Sequence, residues 1–79
     1  MPDLVLYTGP NCHLCDHAEE ILKPLLLRQD IKMTKRDISS DMSLKKKYGL
    51  RIPVLLFNGG IEIDWPFTTF QIEELVNNL

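Results

Sequence analysis

Long apolar runs are missing from this sequence. The longest, Leu4-Val5-Leu6-Tyr7 and Val54-Leu55-Leu56-Phe57, fall far short of the ~20 residues that a helical membrane span requires. A signal-peptide pattern is also missing, because no basic region stands ahead of the first apolar stretch and Asp3 does. Charge of one sign is lacking as well: Lys and Arg number 9 against 11 Asp and Glu, for a net charge of −2 and a pI of about 5.5. That balance argues against a nucleic-acid binder whose affinity rests on neutralised phosphates. Cysteine is scarce, with only 2 in 79 residues, and both lie in one short segment as Cys12 and Cys15. Small secreted scaffolds spread four or more cysteines along the chain, so a disulfide framework is excluded and a reducing, cytoplasmic location is expected. There is no repeat, low-complexity run or Gly/Ser/Pro linker, so residues 1–79 read as one domain. What remains, 44% hydrophobic and 25% charged residues, is ordinary for a folded soluble protein. At this length only about 60–65% of the unfolded chain's surface can be buried, so the core is small.

The apolar pattern places the elements. Leu4 to Thr8, ended by Gly9-Pro10, predicts a strand buried on both faces. Leu14, Ala18, Ile21, Leu22, Leu25 and Leu26 form one stripe of an amphipathic helix. Pro24 interrupts it at a cost of about 3 kcal/mol in a regular helix interior, which predicts a kink or break. Ile31 and Met33 alternate with polar residues, the pattern of an edge strand. A short helix follows, capped by Ser40 or Asp41, with Lys45-Lys46-Lys47 near its C-terminal end and Gly49 closing it. The lysines read as a solvated face, with a docking patch as the alternative. Val54 to Phe57, Asn58-Gly59-Gly60 and the alternating Ile61 to Trp65 read as a hairpin of a central and an edge strand. Thr68 and Gln71 have capping-box spacing ahead of Ile72, Leu75 and Val76 on a last helix. Trp65, Phe67 and Phe70 are expected mostly in the core beneath it, with a partner-binding rim as the alternative for Trp65. The order strand, helix, strand, helix, strand, strand, helix gives an α/β sheet with its two apolar strands central and helices on both faces.

Cys12-His13-Leu14-Cys15 falls where the first loop meets the first helix. Unpaired N–H groups and the positive end of the helix dipole favour a thiolate there, lowering a cysteine pKa from about 8.5 into the range of about 3.5–7.5. A second cysteine one turn later points the same way and can displace a substrate from a mixed disulfide. Cys12 is thus the candidate nucleophile and Cys15 the resolving cysteine. Burial of both as small hydrophobes is the bland alternative. Zinc with His13 and His17 is the sharper one, but residues 15 and 17 project about 200° apart on a helix, which disfavours four convergent ligands. A protonated His13 would further favour the Cys12 thiolate, while a solvated histidine without a role explains it equally well. Pro53, just ahead of the apolar strand, is an odd strand residue because it donates no ladder hydrogen bond; sequence alone leaves it trans or cis.

Taken together, Leu4-Val5-Leu6-Tyr7-Thr8 before Cys12-His13-Leu14-Cys15, Asp37 ending the second strand, Ile52-Pro53-Val54 and the Asn58-Gly59-Gly60 hairpin resemble the glutaredoxin branch of the thioredoxin-fold superfamily, specifically its small glutaredoxin-like proteins. The resemblance spans essentially the whole chain. It implies a four-stranded mixed sheet of order 2-1-3-4 with three helices, the third strand antiparallel to the first. It also implies a cis Pro53 against the cysteine pair and an Ile52 backbone that pairs with an extended cysteine segment of a substrate or with glutathione.

The sequence departs from the family pattern at three places. Gly9-Pro10-Asn11 stands where a lysine usually precedes the nucleophile, His13-Leu14 replaces Pro-Tyr, and Asp64-Trp65-Pro66-Phe67 replaces a Gly-Gly and Asp contact to glutathione. Arg51 is the obvious replacement for binding glutathione carboxylates. The expectation is a thiol–disulfide oxidoreductase, a reductase of protein or mixed glutathione disulfides. Its catalytic residues are Cys12 and Cys15, and Arg51, Ile52, Pro53 and His13 contact the substrate. It needs no metal or bound cofactor, has glutathione as candidate co-substrate, and takes electrons from a reductase as a monomer. A redox-inactive binding module and an iron–sulfur dimer built on Cys12 are the alternatives.

Overall fold

In the computed structural model, which describes residues 3–78, the elements are β1 (Asp3–Thr8), α1 (His13–Gln29), β2 (Lys32–Asp37), α2 (Met42–Tyr48), β3 (Val54–Phe57), β4 (Ile61–Asp64) and α3 (Thr69–Asn77). Residues 1, 2 and 79, the ends of the expected 1–79 domain, lie outside the described residues. The sheet has the order β2-β1-β3-β4. β1 runs parallel to β2, with Leu6 opposite Lys35, and antiparallel to β3, with Leu6 opposite Leu55. The hairpin partner β4 pairs antiparallel to β3, Val54 opposite Asp64. This is the expected four-stranded mixed sheet with three helices.

Strand alternation divides the core into two parts. Leu4, Leu6, Leu55 and Phe57 share one face and pack with Ala18, Leu22 and Leu25 of α1 and Ile72 of α3. Val54 and Tyr7 point to the other face, where Tyr48 of α2 and Ile38 complete a smaller cluster. The expectation that β1 is fully buried on both faces is corrected here, since Val5 and Tyr7 are only half-buried. At 7 residues α2 is about 10 Å long, too short to cover the whole second face.

Pro24 neither breaks nor ends α1, which continues to Gln29. Leu22 and Leu25, both at 0% exposure, anchor the helix on either side of it, and each buried leucine is worth about 1.5–3 kcal/mol, enough to offset the proline's cost of about 3 kcal/mol. Glu20, whose carbonyl loses its donor, lies on the exposed side within reach of water. Asp41 rather than Ser40 caps α2, its side chain accepting the Leu44 N–H at 3.2 Å. The Thr68–Gln71 capping box opens α3 as expected. Phe70 departs from expectation: it is 68% exposed while Phe67 is buried. Ile72 sets the inner face of α3, and a residue two positions earlier projects about 200° away.

Candidate functional site

Asn11 takes a left-handed conformation at φ 54°, a shape that asparagine tolerates better than most residues, and turns the chain from β1 toward α1. Cys12 follows as the N-cap of α1 with an extended backbone. The cap role usually belongs to an oxygen-bearing side chain. Here the Cys12 Sγ accepts the Cys15 N–H at 3.1 Å, and the Cys12 carbonyl accepts from Cys15 N and Asp16 N at 3.1 and 3.3 Å. Cys12 and Cys15 are joined by a disulfide, their Cα atoms 5.2 Å apart. The two cysteines are unequal: Cys15 is 3% exposed, whereas Cys12 is half-buried. An N–H aimed at the Cys12 sulfur and the positive end of a 17-residue helix both favour negative charge there once the bond is reduced.

His13 and Leu14, between the cysteines, are exposed. The His13 ring meets His17 edge-on at 6.1 Å between centroids. Among the described residues no group of three or more His, Cys, Asp or Glu is placed to hold a metal ion.

The second half of the site is the loop between α2 and β3. The Ile52-Pro53 peptide is cis, as the family resemblance implies, and Pro53 is buried. The Pro53 carbonyl accepts the Trp65 N–H at 3.2 Å, which ties this loop to the end of β4. On its other side the loop touches the cysteine loop: a Cβ placed on Gly9 would stand 2.7 Å from the Ile52 Cδ1. Only glycine leaves Ile52 its present position. Gly9, Pro10, Ile38, Leu50 and Ile52, with Lys45 at the side, line a groove of about 400 Å³ along this contact.

Arg51 points into a polar cluster on β4. Its Nη2 donates to Asp64 at 2.8 Å and to Glu62 at 3.0 Å, and its Nε donates to Asp64 at 3.3 Å. Its guanidinium also lies 5.2 Å from the centre of the Tyr48 ring. Tyr48, in turn, donates its hydroxyl to Glu62 at 2.6 Å and stacks on Tyr7 with ring centroids 4.3 Å apart. The Tyr48 hydrogen bond, then the Arg51 guanidinium, hold the Glu62 carboxyl at about 2, well below its ordinary 4.5. Asp64 and then Glu62 raise the Arg51 pKa still further.

With this geometry in view, residues 3–77 match the family described as Glutaredoxin-like domain (DUF836). The chain belongs to that family. It is also similar to a protein from X. campestris solved by X-ray methods as structural genomics target XcR50, at 36% identity over 96% of this chain and 97% of that one, with a TM-score of 0.83. A thioredoxin from Halobacterium salinarum NRC-1 shares the fold at 21% identity and a TM-score of 0.77, covering 98% of this chain and 73% of that one. Thioredoxin O2 from Arabidopsis thaliana, in its oxidized state, does so at 20% identity and a TM-score of 0.72, covering 100% of this chain and 75% of that one.

In this glutaredoxin-like domain the fold brings Ile52 to the loop that carries Cys12, while Arg51, the neighbouring residue, is turned away to β4. Sequence reasoning missed Glu62, Asp64 and Tyr48 as the partners of Arg51. Their signal was faint: Glu62 and Asp64 alternate along one face of an edge strand, as solvated carboxylates do in countless proteins. A second cis peptide, Trp65-Pro66, also went unforeseen, and nothing in the sequence distinguishes it from a trans one.

Proposed function

We propose that this glutaredoxin-like protein is a thiol–disulfide oxidoreductase working as a reductase of protein or mixed glutathione disulfides. The observation that carries the reading is the inequality of the cysteines: Cys12, half-buried, caps a helix and takes an N–H on its sulfur, and Cys15 is buried within disulfide reach. In the reduced protein the Cys12 thiolate attacks one sulfur of the substrate disulfide, and the other sulfur leaves as a thiol after taking up a proton. The Cys15 sulfur, having lost its proton, then attacks Cys12, closing the intramolecular bond and releasing the second substrate thiol. Two electrons have passed to the substrate, and a thiol reductant, either glutathione or a reductase, must return two to the Cys12–Cys15 bond. Ile52 supports the substrate side, since its loop borders the cysteine loop and the half-buried residue lines the adjoining groove. A reducing compartment such as the cytoplasm suits a couple that has to cycle, and the monomer is its working unit.

The experiment is trapping. In Cys15→Ser the second attack is lost, so incubation with glutathione disulfide and with a disulfide-bonded protein is expected to leave mixed disulfides on Cys12, seen as mass increments that dithiothreitol removes. Absence of any adduct with either partner would refute the reading and favour a redox-inactive binding module.

A further inference from the structure

The loop that borders the active site is fastened at several points. Its backbone is tied to α2, because the Tyr48 carbonyl accepts both Arg51 N at 2.8 Å and Ile52 N at 3.0 Å. Its one long side chain, Arg51, is tied to β4 through Glu62 and Asp64. These two carboxylates stand on the sheet face that α2 covers, since Glu62 is opposite Leu56 and Asp64 opposite Val54 in the register. Glu62 is the hub. It accepts from the Tyr48 hydroxyl and Arg51, and Lys47 Nζ lies 3.4 Å away. Tyr48 anchors the hub to the sheet centre through its stack on Tyr7 of β1 and is 3% exposed. Beyond the fastened loop, Ile52 rests against Gly9 in the cysteine loop.

We propose that Arg51, Glu62 and Tyr48 are positioning residues that hold the Ile52-Pro53 segment against the cysteine loop, and that Arg51 is not a receptor for substrate carboxylates. The inference rests on the reductase reading for what the segment is positioned to do. Charge supports it: Arg51 and Lys47 against Glu62 and Asp64 sum to zero, leaving no net attraction for an incoming anion at that place. Binding a carboxylate there would also require Arg51 to leave two partners at 2.8 and 3.0 Å. Geometry assigns a fork of donors this use readily, because a guanidinium bridges two acceptors in fixed directions where a lysine offers a single point.

The test compares Arg51→Ala, Glu62→Ala and the double variant with dithiothreitol as reductant. The substrates are bis(2-hydroxyethyl) disulfide, which carries no charge, and glutathione disulfide, which carries carboxylates. A positioning role predicts that each single variant raises KM for both substrates by about three- to tenfold, and that the double variant is no worse than the poorer single. The kcat at saturation and the alkylation rate of reduced Cys12 by iodoacetamide stay within about twofold of the wild-type values. Glu62→Gln, which keeps an acceptor for one of its donors, is expected to fall between wild type and Glu62→Ala. The proposal is overturned if Arg51→Ala harms only glutathione disulfide while Glu62→Ala, by freeing the arginine, lowers that KM. A second readout does not depend on turnover: the NMR cross-peak between the Ile52 δ1 methyl and the Gly9 α protons weakens in both single variants. An unchanged cross-peak refutes the positioning role. A wild-type protein inactive on both disulfides would refute the reductase reading instead, with the cross-peak still deciding the role of the cluster.

Discussion

Replacing Tyr48 by Phe removes one oxygen and keeps the ring that stacks on Tyr7, so it isolates the hydrogen bond to Glu62. The bond is short, at 2.6 Å, and its acceptor is charged, a class worth about 1.5–3 kcal/mol. The Glu62 side chain retains 25% of its exposure and keeps Arg51 at 3.0 Å, so water and the guanidinium compensate part of the loss. A loss at or just below the bottom of that range, about 1–1.5 kcal/mol, is therefore expected. For a domain of this size each kcal/mol moves Tm by about 4–8 °C, so Tyr48→Phe is expected to melt about 5–10 °C lower. Urea unfolding of the oxidised protein, followed by circular dichroism across a pH series, measures it. Because Glu62 titrates at about 2 when folded against an ordinary 4.5, the wild-type advantage holds at neutral pH and narrows as pH falls from about 4.5 toward 2. A loss below about 0.5 kcal/mol at pH 7, or a gap that does not change with pH, would refute the assignment of Glu62 as the hub.

Other expectations follow from the same contacts. Glu62→Gln removes a carboxyl whose folded pKa lies below its unfolded one; the stability it supplies is present above about pH 4.5 and lost toward pH 2, so the variant's unfolding free energy should vary less over that interval. Gly9→Ala places a methyl against the Ile52 Cδ1, the free end of a half-buried side chain that can turn aside, and is expected to cost less than about 1 kcal/mol in urea unfolding while shifting the Ile52 methyl resonance; an unmoved resonance would show that the two loops do not touch. Thr68→Ala removes the acceptor for the Gln71 N–H at 3.1 Å and one half of the capping box, for a loss of about 1 kcal/mol in the same assay.

The elements were legible because each rests on interactions between near neighbours in the chain. The apolar stripe of α1, the caps at Asp41 and Thr68 and the tight turn at Asn58-Gly59-Gly60 act within a few residues, where sequence pattern and structure coincide. Cys12 and Cys15 were legible for the same reason, since the start of a helix supplies both their spacing and their electrostatics. Where local rules met tertiary packing they lost. Pro24 breaks isolated helices, yet buried Leu22 and Leu25 hold α1 together across it.

By itself, then, the sequence determined the order of elements, the central and edge strands, the paired cysteines at a helix start and, through family resemblance, the sheet order and the cis Pro53. Only the tertiary structure decided the destination of Arg51. Its partners Glu62 and Asp64 lie 11 and 13 residues away and become neighbours because the β3–β4 register turns them toward α2. The contact of Gly9 with Ile52 is of the same kind, for it joins two loops that only the folded sheet brings together. A charged side chain's partner is set by distance in space rather than in sequence, and that distance exists only once the sheet has formed.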